Sequence, residues 1–264
     1  MTMRIVVVCE GPTDVPLVRD LTDRVLCDVF DWLRDLPTLH GLRSYGGLGE
    51  NREYLMWSKV PELFQKSGLR RSRGFGKTNQ NPDYVATRKL LLLIAHHHQS
   101  RTGEGGVDGV LIFRDADREP ERRLGIQGAR EEFVAGDEAS SSSHPWRRHI
   151  AIAVAEPKNE AWVLAGFEPA NDSEHAALAV ARQELGFAPN ECPERLHARE
   201  HGAKRSAKDV LDRLCPDTER LSRCWRETSL ATLRLRGERC GLAQFLDEVR
   251  ESLAPLFGES PRSV

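Results

Sequence analysis

The chain opens on a β-branched apolar run, Arg4 to Cys9, with no polar alternation, the pattern of a strand covered on both faces. The run stops at Glu10-Gly11-Pro12-Thr13-Asp14, and the hydrophobic spacing then changes to steps of three and four. Val15, Leu17, Val18, Leu21, Val25, Leu26, Val29, Phe30 and Leu33 predict a helix to about Leu33, with Thr13 as N-cap and Pro16 in the first turn. Residues 37–83 break the rhythm with SYGGLGEN and SRGFGKTNQNPDY around an apolar centre from Tyr54 to Phe64, so an irregular insertion is expected there. Helical spacing returns over Tyr84–His98, where the His96-His97-His98 run marks a helix end. A second buried strand, VDGVLIF at 107–113, then runs into Arg114-Asp115-Ala116-Asp117. A loose loop is expected around Ala139–His144. The third strand, His149–Ala155, ends in Glu156-Pro157, with Pro157 suited to a first helical position. From about 170 only helical patterns remain, at 174–186, 204–214 and 239–256.

Strands alternating with helices and followed by helices alone predict an α/β fold, a mostly parallel sheet flanked by helices. The expected division is a core over 1–168, carrying the 37–83 insertion, and a helical C-terminal region over 169–264. In that region Leu242, Phe245, Leu246, Val249 and Leu253 form one stripe, which serves either as a partner surface or as contact with the chain's own core.

Composition narrows the functional classes. With 264 residues, 39% hydrophobic, and only 21 Gly and 14 Pro, the chain has material for a real core and is not low-complexity. Lys plus Arg number 38 against 40 Asp plus Glu, a formal charge of −2, so any polyanion-binding surface must be local. No apolar stretch nears the ~18–20 residues of a membrane span, and MTMRIVVVCEG lacks a signal-peptide layout, so a cytoplasmic location is expected. The six cysteines include no CxxC pair, which fits reduced thiols; Cys192, His197, His201, Cys215 and Cys224 fit no standard zinc spacing. Without a GxxxxGK[ST] loop, any ATP hydrolysis falls to another chain.

Each of the three strands ends in carboxylates: Glu10 with Asp14, Asp115 with Asp117, and Glu156 with Glu160. Any one of these acids serves equally well as a helix cap or dipole partner. All three together are different, because the carboxyl ends of parallel strands share one sheet edge. Carboxylates gathered there repel one another unless a hard cation joins them, and oxygen ligands favour Mg²⁺ or Mn²⁺ over zinc. Arg70, Arg71, Arg73 and Lys77, with Phe75 nearby, form a local basic segment suited to nucleic acid, and Arg122, Arg123, Arg147 and Arg148 follow later.

Val8-Cys9-Glu10-Gly11-Pro12-Thr13-Asp14, followed by a strand into Asp115-Ala116-Asp117, resembles the TOPRIM domain of topoisomerases, primases and several nucleases. The Glu-Gly-x-Thr-Asp form and Ala155-Glu156-Pro157-Lys158-Asn159-Glu160-Ala161-Trp162 resemble the overcoming-lysogenization-defect (OLD) branch and small stand-alone prokaryotic TOPRIM proteins linked to phage defence. The resemblance covers roughly residues 4–166. It departs from the minimal pattern in the long Glu10–Asp115 interval and in having no Gly after Asp117.

The resemblance implies a TOPRIM-like fold and a Mg²⁺-dependent endonuclease or nickase. In it Glu10 is metal ligand or general acid/base, Asp115 and Asp117 hold Mg²⁺, Asp14, Glu156 and Glu160 complete a second metal position, and Lys158 stabilises charge on the reacting phosphate. A second reading is a metal-binding regulatory or toxin-like subunit of an ATPase-containing defence complex, with little activity alone. A third, a Mg²⁺-dependent phosphatase or receiver-like domain, lacks the DxDxT context, since Arg118-Glu119 follow Asp117. Nucleic acid, an ATPase partner and a second copy of the chain are the expected partners.

Overall fold

Strand β1 (Met3–Cys9) lies at the middle of the sheet because its residues are apolar on both faces. Ile5, Val7 and Cys9 enter one core, while Val6 and Val8 enter the other. The computed structural model describes residues 2–34, 36–49, 52–69, 81–100, 106–117, 119, 121–138, 145–198, 200 and 202–258.

After β1 come α1 (Asp14–Val29), α2 (Leu36–Leu42), β2 (Arg43–Gly46), β3 (Leu55–Met56), α3 (Val60–Lys66) and α4 (Pro82–Ser100). These lead into β4 (Gly109–Asp115), α5 (Arg122–Glu138), β5 (Ile150–Ala155) and α6 (Asn159–Ala165). The C-terminal region contains α7 (Asp172–Leu185), α8 (Ala207–Leu214), α9 (Thr218–Arg226), α10 (Leu230–Gly237) and α11 (Leu242–Glu248), closed by a π turn and a 3-10 turn to Phe257. Four of these helices start on side-chain caps: Asn171, Ser206, Asp217 and Ser229 each accept from a backbone N–H three residues on. At the far end of α7, Gly186 takes the left-handed conformation at φ 76° and donates its N–H to the Arg182 carbonyl.

The sheet order is β2-β1-β4-β5, with every described pair parallel; β3 pairs with Val8 and Cys9 of β1, extending the edge begun by β2. One face packs on α1, α6 and the C-terminal helices, the other on α3, α4, α5 and Trp146. A single apolar cluster thus runs from β1 through Trp162 to Phe245, whose rings stack at 5.2 Å, joining the sheet to the C-terminal region.

Several expectations are corrected. The first helix ends at Val29, where Phe30 turns extended, and Leu33 belongs to a separate 3-10 turn. The stretch 37–83 is not irregular throughout: it supplies β2 and β3 to the sheet, strands too short to show a period in sequence. Pro157 precedes α6 rather than opening it, with Lys158 as the extended N-cap. Helices α9 and α10 were not anticipated. The stripe Leu242, Phe245, Leu246, Val249 and Leu253 is wholly buried, largely against β5, so it offers no partner surface. Among the described residues, no helix is long and apolar enough to cross a membrane.

Candidate active site

The order of strands fixes where a site belongs. From β1 the chain moves outward to β2 and β3, then crosses back to β4 on the opposite side of β1, so the sheet reverses direction between β1 and β4. Loops leaving adjacent strands in opposite directions open a crevice at their carboxyl ends. Glu10 follows β1 and Asp115 ends β4, one on each side of that crevice, and the β5–α6 turn with Lys158, Asn159 and Glu160 borders it.

Asp14 is 5% exposed at the start of α1, where its Oδ2 accepts from the Gly11 N–H at 3.0 Å. Its Oδ1 accepts from Asn159 Nδ2 at 2.6 Å, and the Asn159 backbone N–H donates to Asp115 Oδ1 at 2.8 Å. One residue of α6 therefore holds the carboxylates of α1 and β4 together. Burial pushes the Asp115 carboxyl up to about 8, with Glu10, Glu160 and Asp14 adding repulsion. Burial also raises Asp14, against its hydrogen bonds from Gly11 and Asn159. Glu10 is raised by burial in the same way, with Arg114 opposing and Asp117 and Asp14 reinforcing.

The basic side chains divide the acids into two sets. Arg114, itself pushed down by burial, lies under the Trp57 ring with its Nε 2.8 Å from Glu10 Oε1 and its Nη2 3.7 Å from Asp83. Distance alone makes the Glu10 contact an ion pair. Neither atom has hydrogen-bonding geometry, so Glu10 Oε1 and Arg114 Nε are both buried without a hydrogen-bond partner, as is Glu160 Oε2. Arg122 pairs with Asp83 at 3.3 Å and with Asp117 at 3.2 Å, and donates to the Asp115 carbonyl. Asp117, at φ 48°, also lies 3.7 Å from Lys158 Nζ. Glu156 turns the other way, to Arg123 at 3.1 Å, and faces a different cavity beside Glu194, His197 and Arg239. Among the described residues, Asp14, Asp115 and Glu160 have no basic partner.

The donor chemistry fits a hard divalent cation: uncompensated carboxylate oxygens from three elements, mutually repelling, with one buried oxygen of Glu160 unsatisfied. Among the described residues, no group of three or more His, Cys, Asp or Glu side chains is placed to hold a metal ion in this conformation. A larger cleft of about 880 Å³, lined by Arg52, Lys59, Lys66 and His96, lies between β3, α3 and α4, and none of these carboxylates faces it. Arg70, Arg71, Arg73 and Lys77 lie outside the described residues.

Sequence reasoning gave no role to Asn159, Arg114 and Asp83, and read Arg122 as a nucleic-acid contact where the structure pairs it with Asp83 and Asp117. Asn159 stood in plain view between Lys158 and Glu160, but an amide carries no charge signal. Asp83 lies in the first turn of α4, some thirty residues before the Asp115 motif, and only the folded chain brings it to Arg114.

The C-terminal region holds the site's floor in place. The Cys240 carbonyl accepts from both the Glu156 N–H at 2.9 Å and the Trp162 indole at 2.7 Å, bracketing the turn that carries Lys158, Asn159 and Glu160. Gly241 follows at φ 84°, and a Cβ there would meet the Val154 carbonyl oxygen and Arg123 Nη2 at 2.3 Å. Only glycine suits that approach. Comparison with protein-family models, with curated proteins and with solved structures finds no match to this chain.

Proposed function

We propose that this chain hydrolyses phosphodiester bonds of nucleic acid in a Mg²⁺- or Mn²⁺-dependent reaction, as a TOPRIM-type endonuclease or nickase acting in prokaryotic defence. The observation that carries the reading is that Asn159 ties Asp14 to Asp115 at the reversal point of a parallel sheet, that none of Asp14, Asp115 and Glu160 has a basic partner among the described residues, and that the Asp115 carboxyl is pushed up to about 8. A carboxyl raised that far by burial and by neighbouring acids has a use if a divalent cation is to be held there. The defence assignment rests on the resemblance of the Glu10–Asp14 and Ala155–Trp162 motifs.

In this mechanism Asp14, Asp115 and Glu160 would hold the ion, and Asn159 sets the spacing of the first two. When bound, the ion supplies a more acidic water and neutralises charge on the leaving oxygen. Glu10, raised by burial and kept in place by Arg114, takes up the proton of the attacking water at its carboxylate. Lys158, oriented by Asp117, provides positive charge for the phosphate as negative charge builds on it. The basic segment at 70–77 is assigned to the nucleic-acid backbone.

One observation favours a second reading. Asp117 is shared between Arg122 and Lys158, and Glu156 is taken by Arg123, which leaves uncompensated acids for a single ion. A one-ion site suits a weakly active subunit that depends on an ATPase-containing partner. Incubating the purified chain with supercoiled plasmid and with single-stranded RNA, in Mg²⁺, Mn²⁺ or EDTA, separates the two. Metal-dependent cutting that Asp115→Asn abolishes supports the nuclease. Absence of cutting on both substrates, alongside clear metal binding, overturns it in favour of the subunit.

A further inference from the structure

A small cavity of about 90 Å³, room for several waters or one phosphate group, lies beside the acidic crevice. Asp117, Lys158 and Glu160 line it from the sheet side, while His197 and Lys208 line it from the C-terminal region. The His197 Nδ1 lies 2.7 Å from the Arg195 carbonyl oxygen, which can only accept, so Nδ1 carries the proton of that bond. The ring can therefore hold an anionic oxygen only as the imidazolium, with Nε2–H donating. Lys208 lies in the first turn of α8, whose N-cap Ser206 is already used on the Asp209 N–H, and the lysine itself is exposed. The cavity thus has two chemistries side by side: carboxylate oxygens next to the ion-holding acids, and two amines with an imidazole facing them. A metal-bound phosphodiester presents the complementary pair, cation and anionic oxygens together.

We propose that the C-terminal region completes the site with a phosphoryl subsite, in which His197 and Lys208 face Lys158 and hold a phosphate of the nucleic-acid strand. The assignment rests on the phosphodiesterase reading for its substrate. It makes Lys208 and His197 binding groups of the reaction, supplied by α8 and by the loop before it, which follow the α/β core in sequence. It also gives the shared apolar core a purpose, since α8 packs against α6 and so positions Lys208 over the turn that carries Lys158.

The test is titration calorimetry with thymidine 3′,5′-bisphosphate in EDTA, which needs neither metal nor turnover. Wild type is expected to bind it more tightly than inorganic phosphate. Lys208→Ala and His197→Ala should each weaken binding about tenfold, the loss of one charge-assisted contact, and Lys208→Arg should restore it. Lys66→Ala, a change to an exposed lysine outside the cavity, should bind as wild type. Equal melting temperatures in EDTA establish that the variants fold, which the exposure of both side chains favours. Unchanged affinity in Lys208→Ala and His197→Ala, or no binding by wild type, overturns the subsite, and inorganic phosphate binding as tightly as the bisphosphate overturns its assignment to nucleic acid. Failure of the nuclease reading shows separately, as plasmid and RNA left intact by wild type.

Discussion

Replacing Asp115 with Asn should stabilise the metal-free protein, and the gain should grow with pH. The Asp115 carboxyl sits at about 8 in the folded chain against an ordinary value of 3.8. A raised acid favours the folded state fully below its ordinary value and loses that contribution as pH climbs to the folded one. Over the 3.2 units from 3.8 to pH 7, at about 1.36 kcal/mol each, the loss comes to about 4 kcal/mol, a large part of the ~5–15 kcal/mol that holds a typical domain together. Asparagine is neutral throughout and keeps an Oδ1 for the Asn159 N–H, so it removes the charge and retains the bond. The assay is urea denaturation of both proteins in EDTA from pH 4 to 8.5. The difference should be near zero at pH 4 and reach several kcal/mol in favour of the variant by pH 8. A difference that stays flat with pH would refute the crowding of carboxylates on which the site is built. Adding Mg²⁺ should narrow the gap, because only wild type retains the full acid set.

Three further outcomes are expected. Mg²⁺ or Mn²⁺ at a hundred times its Kd should stabilise wild type by about 2.7 kcal/mol, raising the melting temperature by several degrees; scanning fluorimetry should show the shift growing toward pH 8, as the ion displaces the Asp115 proton, and a shift independent of pH counts against Asp115 as a ligand. Asn159→Ala removes a donor to the buried Asp14 carboxylate, worth about 1–3 kcal/mol, so metal affinity measured by calorimetry should fall tenfold or more. Phe245→Ala should cost about 3–5 kcal/mol in chemical denaturation, since the ring is fully buried and stacked on Trp162; a loss below 1 kcal/mol would contradict the packing of α11.

The parts of this architecture visible in sequence are those in which one strand or helix carries its own signal. β1 and β4 announce themselves because a strand covered on both faces must be apolar at every step, as Ile5 to Cys9 and Val110 to Phe113 are. β2 and β3 do not, because four and two residues hold no period and their Arg43, Ser44 and Gly46 look like loop. The stripe on α11 was legible as a stripe, yet its partner was not, since the same spacing serves a neighbour or the chain's own sheet. The acids of the site were named from strand ends, Asp83 excepted. What divides them, with Asp117 and Glu156 paired to arginines and Asp14, Asp115 and Glu160 without a basic partner among the described residues, depends on Arg122 and Arg123 reaching back from α5, which no spacing in the chain encodes.

The two hydrogen bonds to the Cys240 carbonyl have a consequence for the order of events during synthesis. Eighty residues separate Glu160 from Cys240. At the ribosome's pace of about 5–20 residues per second, the turn bearing Lys158, Asn159 and Glu160 waits about 4–16 seconds for the carbonyl that brackets it. A nascent chain, or one cut short before residue 240, therefore carries every carboxylate of the site without the clamp that sets them. Any hydrolytic capacity therefore waits until Cys240 has been made and has folded back onto that turn.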